Sequence, residues 1–325
     1  MHILIFSNTV IPASKYGGTE RIMWWLGKAL VRAGHRVTFL VKKGSHCHFA
    51  NVIIIDPTKS IQSQIPENVD LIHSHTITTD NFTKPVLYTI HGNVPYGEVL
   101  PLNSVFVSQN HAQRHGSSVY VHNGLDFDEY GKPDLNQRRT YLHFLAKAAW
   151  RLKNVKGAID IATKCREQLM VIGGYRLNLK MGFRFTPNLN VHFLGMLGGE
   201  RKNEVLKHSK GLLFPVLWHE PFGIAIIESL YFGCPVFGTP YGSLPELVPS
   251  SVGFLSASKQ ALIEQIKEST YDPKACHEYV IHNFDFTQKA KEYIALYERI
   301  LNGESLNNMA PTLQQNHLDK FLPFG

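Results

Sequence analysis

The stretch 211-GLLFPVLWHEPFGIAIIESLYFGCPVFGTP-240 reads as strand, helix and strand in thirty residues. "GLLFPVL" and "CPVFGT" are short and almost continuously apolar, as strands buried on both faces of a parallel sheet are. Two acids stand out in this apolar text. Glu220 precedes a Pro-Phe-Gly turn, and Glu228 follows eight positions later inside the helical run. Pro221 suits a first helical position, where its missing N–H costs nothing. Phe222, Ile226 and Ile227 can pack inward, while Gly223 leaves room for a ligand. The early N–H groups near Gly223 and Ile224 have no intrahelical partner, and with the helix dipole they make a seat for a phosphate. Glu228, two turns on, falls on the same face as Glu220. A carboxylate there repels a diphosphate but accepts hydrogen bonds from sugar hydroxyls. A diphosphate seat between two such acids describes a nucleotide-sugar site. The plainer alternative makes Glu220 a first-turn charge and Glu228 a solvated one; the apolar setting of Glu228 favours the former reading.

The same alternation of strand and helix runs outward in both directions. "HILIFS", "RVTFLV", "NVIIID", "DLIHSH", "VLYTIH", "SVFVSQ" and "SVYVHN" read as strands, and "ERIMWWLGKALVRAGH" as an amphipathic helix closed by Gly34. The pattern breaks at "GLDFDEYGKPDLNQRR", residues 124–139, which reads as a linker. Strand-like runs then resume with "TYLHFLA", "LMVIGG", "NVHFLG", "GLLFPV", "CPVFGT" and "VGFLS". Two series of βα units predict an α/β protein of two doubly wound Rossmann-like domains facing a central cleft. The expected division is an N-terminal domain over 1–135, joined by the helix 287–301, and a C-terminal domain over 136–286. Residues 302–325 read as a loose polar tail whose "FLPFG" end is apolar enough to dock.

Composition narrows the classes. The chain has 325 residues, 44% of them hydrophobic and 18% charged, with a formal net charge of +7. Its pI is near 9.1. The excess suits an anionic partner, but no basic run interleaves with aromatics, so nucleic acid is not expected. The four cysteines are scattered without a C-x-x-C pair, which suggests neither zinc nor a disulfide framework. "MHILIFSNTVIPA" lacks a basic leader segment and reads as a first buried strand, so a cytoplasmic location is expected. "SNTVIPASKYGGTE" lacks the G-x-G-x-x-G of a dinucleotide-dependent oxidoreductase. His73 and His75 alternate on one strand and share a face. Without a third ligand in evidence, a pocket lining is a better reading than a metal site.

The pattern E-P-F-G-(x)4-E-(x)4-G-x-P-V, followed by "GSLPELV", resembles the E-x7-E signature of the family 4 retaining glycosyltransferases of the GT-B fold. Over roughly residues 1–300, "YGGTERI", "DLIHSH", "YTIHG", "VHNGLD" and "NVHFLG" are similar to further segments of that family, in the same order. The resemblance implies a nucleotide-sugar donor, a UDP- or GDP-hexose, and an α-linked product on a glycan, glycolipid or small-molecule acceptor. It implies that Glu228 binds the ribose and Glu220 the transferred sugar, with Phe222, Gly223 and Ile224 on the phosphates and sugar. His91 would contact the transferred sugar, and Gly17 and Gly18 would let a loop approach the phosphates.

Where the family has an Arg and a Lys on the diphosphate, this chain reads "FLAKAAWRLKNVKG". Lys147 takes the place of the Arg, as a point charge without the bidentate fork. Lys153 best fits the Lys, with Lys156 as the competing register. Two cations can replace a metal on the leaving diphosphate, so neither metal nor cofactor is expected. The alternatives for these residues are a solvated basic loop, a satisfied strand-end histidine and turn glycines. A catalytically degenerate nucleotide-sugar-binding partner is the rival functional reading. The basic balance suits peripheral contact with an anionic membrane at its inner face, with the Trp24-Trp25 pair as candidate contact and core packing as the alternative for at least one of them.

Overall fold

The computed structural model describes residues 1–13, 17–179, 181–268, 270–316 and 320–325. The chain divides into two units, Met1–Asp126 with Asp285–Asn316, and Phe127–Phe284 with His317–Gly325.

In the first unit, β1 (His2–Phe6), α1 (Gly18–Arg32), β2 (Arg36–Val41), β3 (Asn51–Ile54), β4 (Leu71–Ser74), β5 (Val86–Ile90), β6 (Ser104–Phe106) and α2 (Gln109–Arg114) follow in chain order. The six strands form a parallel sheet in the order β3-β2-β1-β4-β5-β6. Apart from the edge strand β3, which is partly exposed, its strands are largely buried apolar runs, and α1 packs on the sheet with Ile22, Trp25, Leu26 and Leu30. Trp25 is therefore a core residue, and Trp24 packs edge-on against Phe49. The "SVYVHN" run is not a seventh strand. Only Phe106 bridges to it, at Tyr120, since β6 ends there and the chain turns into α2.

The second unit continues with β7 (Tyr141–Leu145), α3 (Val155–Cys165), β8 (Leu169–Ile172), β9 (Leu177–Asn178), β10 (Arg184–Phe185) and β11 (Val191–Phe193). Then come α4 (Gly199–Lys207), β12 (Ser209–Phe214), α5 (Ile224–Tyr231), β13 (Val236–Gly238), α6 (Leu244–Leu247), β14 (Gly253–Leu255), α7 (Lys259–Glu268) and α8 (Pro273–Asn283). Its six-stranded parallel sheet runs β11-β8-β7-β12-β13-β14, and β9 and β10 form a separate antiparallel hairpin. In both sheets the strand order reverses beside the first strand, between β1 and β4 and between β7 and β12. Such switch points are where open α/β sheets hold ligands, at the carboxyl ends of the strands.

The last helix, α9 (Phe286–Leu301), returns to the first unit, where Tyr293 and Tyr297 are buried. The division falls at 126/127, earlier than the expected 135, because Tyr130 is buried in the second unit and its hydroxyl bonds Glu228. Residues 302–316 are not loose. Asn307 is buried and its side-chain amide donates to the carbonyls of Leu102 and Ser104 at 2.7 and 2.9 Å. The "FLPFG" end docks on the second unit, with Leu322 N–H on Leu217 O at 2.8 Å and Gly325 O accepting from Lys259 N–H at 2.7 Å.

One buried histidine ties the second core together. His143 of β7 is wholly buried between Ser209 Oγ at 2.6 Å and Ser229 Oγ at 2.8 Å. Burial pushes it down to about 3 from its ordinary 6.5. The unfolded chain therefore binds this proton between those two values and the folded chain does not. The stabilisation is fully present above pH 6.5 and is lost as pH falls toward 3, on the order of 3 kcal/mol by pH 4. Urea unfolding followed from pH 7 to pH 4.5 is expected to show a falling midpoint, and His143→Gln, which keeps a neutral hydrogen-bonding group, a shallower fall.

Candidate functional site

At the switch point of the second sheet, the loops after β7 and β12 meet through charge. Lys153 ends a short 3-10 turn, Arg151–Lys153, and is buried. Its Nζ donates to Glu220 Oε1 at 2.7 Å and Oε2 at 2.5 Å. The ammonium lies 5.6, 5.3 and 5.1 Å from the ring centres of Trp150, Phe214 and Trp218. Trp218 Nε1 also donates to Glu220 Oε2, at 2.7 Å. A lysine this deep is tolerable because a carboxylate and three π-faces replace its hydration.

The backbone around the pair is fixed in turn. Asn154 adopts a left-handed conformation (φ 54°), caps α3 by accepting from Gly157 N–H at 3.0 Å, and donates to Pro215 O at 2.9 Å. Gly242, at φ +67°, bridges Glu220, and a Cβ there would stand 2.3 Å from the Glu220 backbone N and O. Ser243 seals the contact, its N–H on Glu220 O at 2.9 Å and its Oγ on Phe222 O at 2.7 Å. The loops after three strands adjacent in the sheet, β7, β12 and β13, thus meet at Glu220.

Helix α5 starts at Ile224, three residues later than Pro221 led one to expect. Gly223 is its N-cap at φ 84°, a left-handed conformation that breaks the helix there, and no side chain caps it. Phe222, Ile226 and Ile227 are buried. Glu228 is buried too, and accepts from Tyr130 Oη at 2.8 Å and from Lys202 Nζ of α4. Lys202 also lies 5.0 Å from the centre of the Tyr130 ring.

In the first unit, His75 and His91 follow β4 and β5, and Gly17 and Gly18 open α1 after β1. All lie at the carboxyl edge of the same sheet. Tyr16 of the Gly-Gly segment lies outside the described residues. Gly17 is packed closely: a Cβ would sit 2.8 Å from Ala13 Cβ. His75 Nδ1 and His91 Nε2 share a hydrogen bond of 2.7 Å. His73 stacks on His75 at 4.3 Å and bonds Tyr297 Oη at 2.6 Å and Thr89 Oγ1 at 2.7 Å. Burial pushes His91 down to about 4 and holds His73 and His75 well below their ordinary range, so the three are neutral near pH 7. Among the described residues no three His, Cys, Asp or Glu side chains converge as a metal ion would need.

Of the residues picked from sequence, Lys153 and Glu220 are in direct contact, and Phe222, Gly223, Ile224 and Glu228 follow on the same loop and helix. Lys147 is exposed at the end of β7, and its ammonium makes no hydrogen bond or ion pair among the described residues. Lys156 is exposed on α3, so the buried register belongs to Lys153. Tyr130 and Lys202 were not picked. Tyr130 sits in the segment read as linker. Lys202 stands four residues before buried Leu206, on the buried face of an otherwise polar helix.

Residues 128–283 match the family described as Glycosyl transferases group 1. No curated protein matches the chain in sequence. Among solved structures it is similar to AviGT4, a glycosyltransferase involved in avilamycin A biosynthesis, with 18% identity over 93% of this chain and 98% of that one and a TM-score of 0.75. Sucrose-phosphate synthase from Thermosynechococcus elongatus matches with 17% identity over 93% and 100% and a TM-score of 0.72. HepE from Anabaena, solved in complex with UDP-glucose, matches with 16% identity over 91% and 99% and a TM-score of 0.67. The fold is that of the GT-B glycosyltransferases.

Removing one partner of a buried pair leaves a charge without compensation, whereas removing both does not. Lys153→Met is expected to lower unfolding stability by about 3 kcal/mol, and Lys153→Met with Glu220→Gln to regain most of that loss. Urea unfolding of the two single variants and the double variant tests this; strictly additive losses would contradict the coupling.

Proposed function

We propose that the protein is a retaining glycosyltransferase of family 4 that moves a hexose from a nucleotide-sugar donor, a UDP- or GDP-hexose, to a glycan, glycolipid or small-molecule acceptor with α linkage. The observation that carries this reading is the caged Lys153–Glu220 pair at the switch point of a sheet within a glycosyl transferases group 1 domain. HepE, with the same fold, is solved with UDP-glucose bound, which supports the donor class.

The chemistry asked of these residues is electrostatic. Cleaving the bond to the diphosphate develops negative charge on the leaving oxygens, and preorganised cations lower that barrier. Lys153 is held in place before any donor arrives, so little reorganisation is needed when the charge develops. Lys147, exposed at the end of β7, supplies the second cation. Two lysines can do this without a metal, and no metal is assigned. Glu220 orients a hydroxyl of the transferred sugar, and the first N–H groups of α5, uncapped by any side chain, receive phosphate oxygens. Glu228 is assigned to the ribose. In retaining transfer the acceptor attacks on the face that the diphosphate leaves, and a departing phosphate oxygen takes the acceptor's proton. No carboxylate nucleophile is assigned.

The test is turnover of a panel of nucleotide sugars, with and without EDTA, read as released nucleotide. One donor is expected to be turned over in the presence of EDTA. Lys153→Ala and Glu228→Ala are each expected to lower the rate on the order of a hundredfold or more, and His91→Ala to lower it as well. Binding of a nucleotide sugar with no release under any acceptor would favour a degenerate binding partner. Failure to bind any nucleotide sugar would refute the assignment of the site.

A further inference from the structure

The crossover from β8 to β11 contains no helix among its described residues; the β9–β10 hairpin stands there instead. Leu177 pairs with Phe185 across the hairpin, and Asn178 pairs with Arg184. The two pairs point to opposite faces. On the inner face Arg184 is buried, its guanidinium on Tyr175 O at 2.9 Å and Thr186 Oγ1 at 2.8 Å. Arg176 holds the returning strand by the carbonyls of Thr186, Asn188 and Val191 at 2.6, 2.9 and 2.7 Å. These guanidinium bonds fix which face looks outward. The outward face is apolar: Leu179 and Phe183 are each 73% exposed, and Leu177, Met181 and Phe185 are each more than half exposed. Large apolar side chains exposed on one side of a hairpin mark an interaction surface.

Charge selects its occupant. From Lys147 to Arg184 the sequence holds nine Lys and Arg against Asp160 and Glu167, a net +7, which equals the charge of the whole chain and leaves the remainder balanced. Both acids are already engaged by lysines outside that segment, Lys259 at 3.1 Å and Lys210 at 2.7 Å. Among the described residues, Lys147 is exposed at the candidate site, and Arg151, Lys156, Lys164 and Arg166 are exposed as well. Beside the hairpin lies a cavity of about 630 Å³, lined by Met181, Phe183, Phe321 and Phe324 together with Arg151 and Lys156. Apolar walls beside cations suit an amphiphile with a negative end.

We infer that the β9–β10 hairpin and the basic surface beside it form a docking face for an anionic lipid bilayer. The apolar side chains enter the interfacial region, and the exposed cations meet the headgroups. No helix among the described residues is long and apolar enough to cross a membrane, so this contact is peripheral. A second copy of the chain fits less well, because two such faces would bring like charge together. A nucleic acid offers no apolar partner for the leucines and Met181. The inference goes beyond the transfer reaction and does not rest on it.

Co-sedimentation with vesicles tests it, using phosphatidylcholine alone and phosphatidylcholine mixed with phosphatidylglycerol. The protein is expected to bind only the mixed vesicles, and less at high salt. Leu179→Asp with Phe183→Asp, both at exposed positions, is expected to lower the bound fraction about tenfold while the unfolding midpoint is unchanged. Phe183→Trp is expected to give a blue-shifted emission on the mixed vesicles. No binding to the mixed vesicles, or equal binding by the aspartate variant, would overturn the proposal. So would a concentration-dependent dimer, without vesicles, that the aspartate variant abolishes.

Discussion

The ion pair between Lys153 and Glu220 is the constraint on which the second unit's loops depend. Both groups are taken almost wholly out of water, and each is the other's principal compensation there. Their mutual attraction is supplemented by three aromatic rings around the ammonium and by the Trp218 N–H on the carboxylate. Because Lys153 comes from the loop after β7 and Glu220 from the loop after β12, the pair ties together the two strands at which the sheet order reverses. Gly242 and Ser243, after β13, close on the Glu220 backbone from the other side. Loops that would otherwise be the most mobile part of an α/β unit become one piece. A site that must meet charge in a fixed place gains from being built this way.

A second buried pair repeats the device. Glu228 on α5 meets Lys202 on α4, with Tyr130 lending both a hydroxyl and a ring face. Tyr130 belongs to the segment that follows the first unit, so the start of the second unit is pinned through the same carboxylate. The first unit places its polar groups differently. Its histidines are stacked and hydrogen-bonded to one another, to Tyr297 and to Thr89, and burial holds them neutral. Charge fixed in pairs, and titratable groups kept uncharged as with these histidines and His143, are two answers to the same problem, the cost of a polar group out of water.

What was legible in the sequence followed from local rules. Continuous apolar runs located nearly all the strands, and the Glu-Pro-Phe-Gly turn picked out the two acids that the structure buries in ion pairs, because both depend on neighbours in the chain. The errors came where distant contacts decide. Pro221 is a good helix start in isolation, yet Gly223 turns left-handed and delays the helix to Ile224. The "SVYVHN" run has strand composition but meets only one residue of a short edge strand. Tyr130 looked like linker because nothing within ten residues shows that Glu228 awaits its hydroxyl, and Lys202 is polar in a polar helix. Residues 302–316 read as loose because the carbonyls that receive Asn307 are some two hundred positions away. Trp25 and Trp24 were ambiguous on composition, and packing against the sheet made one of them core.

The hairpin between β8 and β11 shows the opposite case, a stretch whose local pattern is clear and whose setting is unusual. "RLNLKMGFRF" alternates strictly enough to be a half-buried strand pair. The face turned inward, however, is the polar one. Arg184 is buried over Phe193 at 4.7 Å, and the leucines and phenylalanines face solvent. A one-residue slip would put the apolar set against the unit and the arginines in water, as in an ordinary amphipathic hairpin. Carbonyls at Tyr175, Thr186, Asn188 and Val191 hold the guanidinium groups and prevent that slip. Five charge-assisted hydrogen bonds keep an apolar face outward, at the end of a stretch, Lys147–Arg184, whose net charge equals that of the whole chain. An arrangement that costs solvation in water and is held against the cheaper alternative is accounted for if the surface meets something other than water.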